Sequence, residues 1–320
     1  MFSFRRIFSS TTEDVIKDLD ENLHEVKDLG KAPHDLDFHK MCSLPQQNTI
    51  ITLNDLTLTI WNMKTVKKQS TYPVPRLVFS SQNLTFIKEL KLLIVTLRSN
   101  EASVFSLKKK PKLLCKSPVA LPFTEYIHQL SIVISFGKDL LSIWGIYNRK
   151  VYCTTKGSFH KVKYLTGLNK LATFEGLFCE LNVYDIDTNT KTLKNSKRLY
   201  TNDSSFGCLN EIEWVEKRNL LIVTDAVVGA VKMYGHRDCG KWQELRTFEK
   251  DGILSQIIRL SNETILLSFG DKSEENSYIL ELNKMKLQRL GQKVPKICLY
   301  SEPKKTFVGC KEGQLSLWKF

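Results

Sequence analysis

No apolar run in the 320-residue sequence approaches the ~20 residues needed to cross a bilayer as a helix, and the longest, around Leu92–Thr96, is strand-sized. A soluble globular chain is expected. The signatures of common chemistries are missing too: there is no HExxH, no GxSxG elbow, no P-loop and no GxGxxG opening a helix. No catalytic residue is assigned, and the chain reads as a non-enzyme. Histidines are few and isolated, apart from the run His34, Asp35, Asp37 and His39. In an alternating strand residues 35, 37 and 39 share one face and 34 falls on the other, so the four cannot meet one ion. Neither a metal nor another cofactor is expected. The eight cysteines stand singly with no CxxC pair, a pattern of reduced, buried thiols in a reducing compartment.

Helical periodicity is nearly absent after residue 30, and a repeat takes its place. Short alternating apolar segments end in an aromatic or bulky residue followed by a polar turn. In order they are LTLTIWNMKT, EASVFSLKKK, LLSIWGIYNRK, ELNVYDIDTNT, AVKMYGHRDCG, YILELNKMK and QLSLWKF. Copies recur at roughly 40 to 50 residues, the spacing of four-stranded propeller blades. Two further apolar runs precede each copy, as in LNEIEWVEKRNLLIVTD, and a more polar one follows, as in KVYCTTK or KWQELRTFE. These are strands a to d of one blade, with d outermost. The seventh unit reaches Phe320 at its strand c, and LHEVKDLG (23–30) is placed to supply the missing strand d. The expected fold is all-β: a single seven-bladed WD40-like β-propeller over residues 23–320, closed by an N-terminal strand.

The strand-c aromatics Trp61, Trp144, Tyr184, Tyr234 and Trp318 occupy a position that resembles the WD dipeptide of WD40 repeats. Only Tyr184-Asp185 keeps the acidic second residue; the others read WN, WG, YG and WK. The Gly-His pair that opens a WD40 repeat is absent, because Gly235-His236 follows a strand c. The chain thus resembles a divergent WD40 ring. A narrower resemblance is to the lethal giant larvae and tomosyn family, carried by Phe4-Arg5-Arg6, by Pro33, Leu36 and Phe38, and by AVKMYG at 230–235. It implies a setting in vesicle traffic or polarity. That family has two propellers and often a SNARE-like tail, whereas this chain has room for one ring.

The formal charge of +13 is unevenly placed. Turns between strands b and c are rich in acids, among them Asp139, Glu175, Glu180 and Asp225. Turns on the opposite face, c to d and a to b, are basic. The c–d set includes Lys64, Lys67, Lys68, Lys108, Lys109, Lys110, Lys112, Arg149, Lys150, Lys191 and Lys194. Lysine-rich turns also guard outer strands from pairing, but that does not explain an acidic opposite face. The expected partners are acidic proteins or an anionic membrane surface. Nucleic acid is the weaker partner, since the aromatics are not interleaved with the lysines as a stacking platform requires.

Residues 1–22 form a separate piece. Ser10 and Glu13 have capping-box spacing, and Val15, Ile16, Leu19 and Leu23 make one apolar stripe, which predicts a short helix from about Thr11 to Glu21. Ahead of it the tip carries Phe2, Phe4, Arg5, Arg6 and Phe8, suited to touching an anionic surface. It also looks like the start of a mitochondrial presequence, but the acids Glu13, Asp14, Asp18, Asp20 and Glu21 begin too early. The resulting expectation is a cytoplasmic, monomeric ring acting as a protein-interaction scaffold. The alternative is an RNA- or ribosome-associated factor, in mitochondria.

Overall fold

The computed structural model describes residues 24–31, 41–44, 49–54, 57–62, 67–73, 83–87, 90–96, 102–106, 112–176, 180–200 and 209–225. Beyond these it describes 229–237, 240–250, 253–261, 263–270, 275–291, 294, 296–301, 306–311 and 314–319. The expected helix at Thr11–Glu21, the tip residues Phe2, Phe4, Arg5, Arg6 and Phe8, and the run from His34 to His39 lie outside the described residues. So do Pro33, Leu36 and Phe38 of the narrower family resemblance. The chain divides into two compact units, one of Met1–Lys31 with Asp251–Phe320 and one of Ala32–Lys250.

The described strands form seven four-stranded antiparallel sheets, and within each the strands lie side by side. Strand β1 (His24–Lys31) belongs to the last sheet. The first sheet runs β2 (Met41–Leu44), β3 (Thr49–Asn54), β4 (Thr57–Asn62), β5 (Lys67–Pro73). The second runs β6 (Asn83–Ile87), β7 (Leu92–Thr96), β8 (Ala102–Ser106), β9 (Lys112–Lys116). The third is β10 (Phe123–Ile127), β11 (Ile132–Phe136), β12 (Leu140–Gly145), β13 (Val151–Lys156), and the fourth is β14 (Phe159–Leu165), β15 (Lys170–Glu175), β16 (Glu180–Asp187), β17 (Thr192–Tyr200). The fifth is β18 (Leu209–Val215), β19 (Leu220–Asp225), β20 (Ala230–His236), β21 (Trp242–Glu249). These five make up the unit of residues 32–250.

The other unit holds two sheets. One is β22 (Ile253–Arg259), β23 (Thr264–Gly270), β24 (Glu275–Glu281), β25 (Lys286–Arg289). The other orders β26 (Lys296–Ser301), β27 (Thr306–Lys311), β28 (Gln314–Lys319) and then β1, which pairs antiparallel with β28 from His24↔Lys319 to Lys31↔Gln314.

The second strands LLIVT, IVISF and LLIVTD are buried at every position, because a neighbouring sheet covers each face. Ile87, Ile94 and Val104 pack against Val133 and Trp144. Ile134, Phe136 and Leu141 pack against Phe159, Val162 and Leu171, and Phe174 and Leu181 against Ile212 and Trp214. Each such side chain contributes about 1.5–3 kcal/mol by leaving water. The fourth strand lies at the edge of its sheet, and β9 and β13 carry no buried residue. Two cysteines of fourth strands, Cys115 and Cys153, are free and half-buried.

One irregularity recurs. Opposite the aromatic end of the third strand, the fourth strand carries one extra residue that pairs with nothing across the ladder: Gln69, Leu114, Tyr152, Asn195 and Leu245 in the first five sheets. Such a bulge re-aims the extra side chain. In two sheets that side chain lies over the residue after the aromatic. A Cβ on Gly145 would stand 2.8 Å from Tyr152 Oη, and one on Gly235 would stand 2.9 Å from a Leu245 methyl. At Gly145 the nearest atom is Asn148 Oδ1, and all these atoms are the mobile ends of side chains, so the close approach favours glycine in WG and YG without requiring it. Where the extra residue is Asn195, Asp185 survives and pairs with Lys170.

Candidate docking site

The turn from β12 to β13 (Ile146–Lys150) is short and tightly bonded. Arg149 N–H donates to the Gly145 carbonyl at 2.9 Å, and Gly145 N–H donates to the Lys150 carbonyl at 2.9 Å. Asn148 Oδ1 accepts from Lys150 N–H at 3.0 Å, which fixes the amide so that its Nδ2 donates to Tyr152 Oη at 3.0 Å. The Tyr152 O–H is then a donor with no acceptor among the described residues. Tyr147, on the same turn, is 68% exposed.

The neighbouring β16–β17 turn reaches the same ring. Lys191 Nζ lies 4.9 Å from the Tyr152 ring centroid and Lys150 Nζ lies 5.8 Å from it. Both distances fall within cation–π range. Lys191 N–H donates to the Asp187 carbonyl at 2.7 Å, and the Asp187 carboxylate accepts from Asn189 N–H at 2.9 Å and Thr190 N–H at 3.0 Å. Lys194 closes on Asp187 Oδ2 at 2.5 Å. The Lys194 bond, with those backbone donors, holds the Asp187 carboxyl well below the usual carboxylate range. Two turns from adjacent sheets thus meet at one tyrosine.

Of the basic residues expected on this side, the structure brings Lys150 and Lys191 together at Tyr152, with Arg149 on the same turn as Lys150 and Lys194 on the strand that follows the Lys191 turn. It separates them by role: Lys194 is neutralised by Asp187, whereas Arg149, Lys150 and Lys191 have no carboxylate partner among the described residues. Lys112 stands exposed on the outer strand β9, beside Leu113 and Leu114. Lys67 and Lys68 lie in β5. Lys64, Lys108, Lys109 and Lys110 are outside the described residues. Tyr147, Asn148 and Tyr152 were not singled out by sequence; the signal available was the pair of tyrosines bracketing Asn148-Arg149-Lys150.

The acids of the b–c turns are less available than their number suggests. Asp225 is 1% exposed. Half-buried Glu175 accepts from Tyr184 Oη at 2.9 Å and from Thr173 Oγ1, and burial pushes its carboxyl up. Glu180 pairs with Arg198 at 3.0 Å. Of the strand-c aromatics, Trp144 is fully buried and its Nε1 donates to Ser135 Oγ at 2.8 Å, whereas Tyr184 and Trp318 are half-buried. Tyr234 is buried like Trp144.

No family model matches this sequence, and no curated protein matches it. Solved structures do. The Cps50 (Swd1) β-propeller domain of Myceliophteria thermophila superposes with a TM-score of 0.68 at 11% identity, over 93% of this chain and 99% of that one. The fold is a WD40-type β-propeller. Raptor of Chaetomium thermophilum gives a TM-score of 0.69 at 14% identity over 97% of this chain, which spans 30% of the Raptor chain. A chain of the mitotic checkpoint complex gives 0.69 at 11% identity, over 100% of this chain and 95% of that chain. At such identities the likeness concerns the fold alone. In propeller terms the site joins the c–d turns of the third and fourth blades.

Proposed function

We propose that this propeller is a non-enzymatic scaffold whose c–d side docks acidic protein partners. The observation that carries the reading is the trio Arg149, Lys150 and Lys191, cations from two adjacent blades with no carboxylate to neutralise them among the described residues. By its name, one similar chain belongs to a multi-protein complex, which supports a docking role. The ring we propose has seven blades, is closed by β1 on β28 and works as a monomer. It acts in the cytoplasm in a setting of membrane traffic, with Phe2, Phe4, Arg5, Arg6 and Phe8 touching an anionic membrane. Mechanically, a rigid array of turns offers several cationic contacts at once, so binding falls as salt screens them over ~8 Å at physiological ionic strength.

The test is a pull-down with the full chain across a salt series, beside a variant with Lys108, Lys109, Lys110, Lys112, Arg149 and Lys150 changed to Glu. Partners that elute with rising salt and are lost in the variant support the reading. An unchanged set of partners overturns it. Capture of RNA instead, with a steep salt dependence, would favour the nucleic-acid alternative. Imaging the chain with and without residues 1–10 tests the tip: deletion should release membrane-bound protein into the cytoplasm.

A further inference from the structure

Among the features left over by that reading, the Tyr152 cluster is the most specific. Two ammonium groups drawn to one ring repel each other, and a third cation, Arg149, shares the turn. Arg149 and Lys191 also both sit at φ 58°. Asparagine and glycine favour that left-handed backbone, and a long side chain there costs about 1 kcal/mol. The corresponding turns of the fifth and sixth sheets use Gly240 at φ 74° and Met285 at φ 48°, so the turn accepts different residues and, among the described residues, only in the third and fourth sheets is that residue a cation. The Tyr152 hydroxyl adds a neutral donor, left over because Asn148 already occupies its oxygen. A compact anion with several acceptor oxygens complements such a set of donors.

Resting on the scaffold reading above, we infer that the cluster of Arg149, Lys150, Lys191 and Tyr152 is a receptor for a single phosphorylated side chain on an extended peptide. A phosphate monoester carries about −1.5 to −2 charges and three acceptor oxygens, enough to meet the arginine fork, two ammonium groups and the tyrosine hydroxyl together. A carboxylate has one charge and two oxygens and leaves part of the cluster unmet. Exposed Tyr147 gives residues flanking the phosphate an apolar surface.

Three peptide mixtures, identical except for a central serine, phosphoserine or aspartate, are titrated against the full chain by fluorescence polarisation, beside vesicles containing a phosphorylated inositol lipid. The phosphoserine mixture should bind about tenfold or more tighter than the other two, the effect of charge-assisted hydrogen bonds. The double variant Arg149→Asn with Lys191→Asn keeps residues at ease in the left-handed region and should abolish that preference with unchanged melting. Tyr152→Phe keeps the ring and should weaken phosphoserine binding about tenfold. Should aspartate bind as well as phosphoserine, or the preference survive in the double variant, the receptor is overturned while an acidic docking face stands. Binding to vesicles with none to peptides replaces the peptide with a membrane. Failure of every anionic probe removes both readings.

Discussion

The innermost strands of the third to fifth blades and the c–d turns of the third and fourth are both rich in charge, and they dispose of it in opposite ways. On β14 and β18, Lys161 meets Glu211 at 2.7 Å and Lys163 meets Glu213 at 3.5 Å. Glu125 of β10 stands near both lysines; its burial outweighs their attraction and pushes its carboxyl up. These charges tie blade to blade. At the turns, Lys150 and Lys191 lie over one tyrosine with Arg149 on the same turn as Lys150, and none of the three meets a carboxylate among the described residues. Charge that is paired across elements belongs to the architecture, and charge that converges without a partner is available to a ligand.

That contrast can be broken from either side. The largest effect is expected from Lys163→Met, which leaves Glu213 and Glu125 facing a site without its nearest base. Stability should fall by about 1 kcal/mol in urea unfolding, whereas the Arg149→Asn, Lys191→Asn variant should unfold as the parent does. Equal losses in both would erase the distinction. Next comes Glu125→Gln. A carboxyl raised by burial is held protonated more readily in the folded chain, so folded stability falls as pH rises from the ordinary glutamate range through the raised value. The glutamine variant should lose that slope and melt higher than the parent at neutral pH; parallel curves from pH 4 to 8 would refute it. The smallest effect is that of Asp187→Asn, which releases Lys194 to the cluster and should tighten phosphoserine binding about twofold to threefold. Unchanged affinity would place Lys194 outside the site.

Much of the fold was legible because blades repeat: the second strands had to be continuous apolar runs once both faces were covered, and LLIVT and IVISF read so directly. The pairing of LHEVKDLG with the final strand was legible for the same reason, an unfilled fourth place. The site was legible only in part. A count of charges by turn located Arg149, Lys150 and Lys191, but it also counted Asp225, which is buried, and Lys194, which is neutralised from seven residues away. Which charges survive pairing depends on turn conformation, and the Asx bonds of Asp187 are not visible in TNTKT. Tyr152 was hidden by its position: in a regular strand it would alternate with its neighbours, and only the extra residue turns it toward Gly145.

That extra residue has a further consequence, for what the chain does with its own rim. The outer edge of each sheet offers unpaired backbone groups, and LLC in β9 is apolar enough to recruit a second copy. A straight incoming strand needs a run of evenly spaced partners, and in five sheets the run is interrupted within the first few residues of the outer strand. Each of those five sheets is thereby a poor template for another molecule, and its exposed outer strand is guarded against edge-to-edge pairing by its own irregularity.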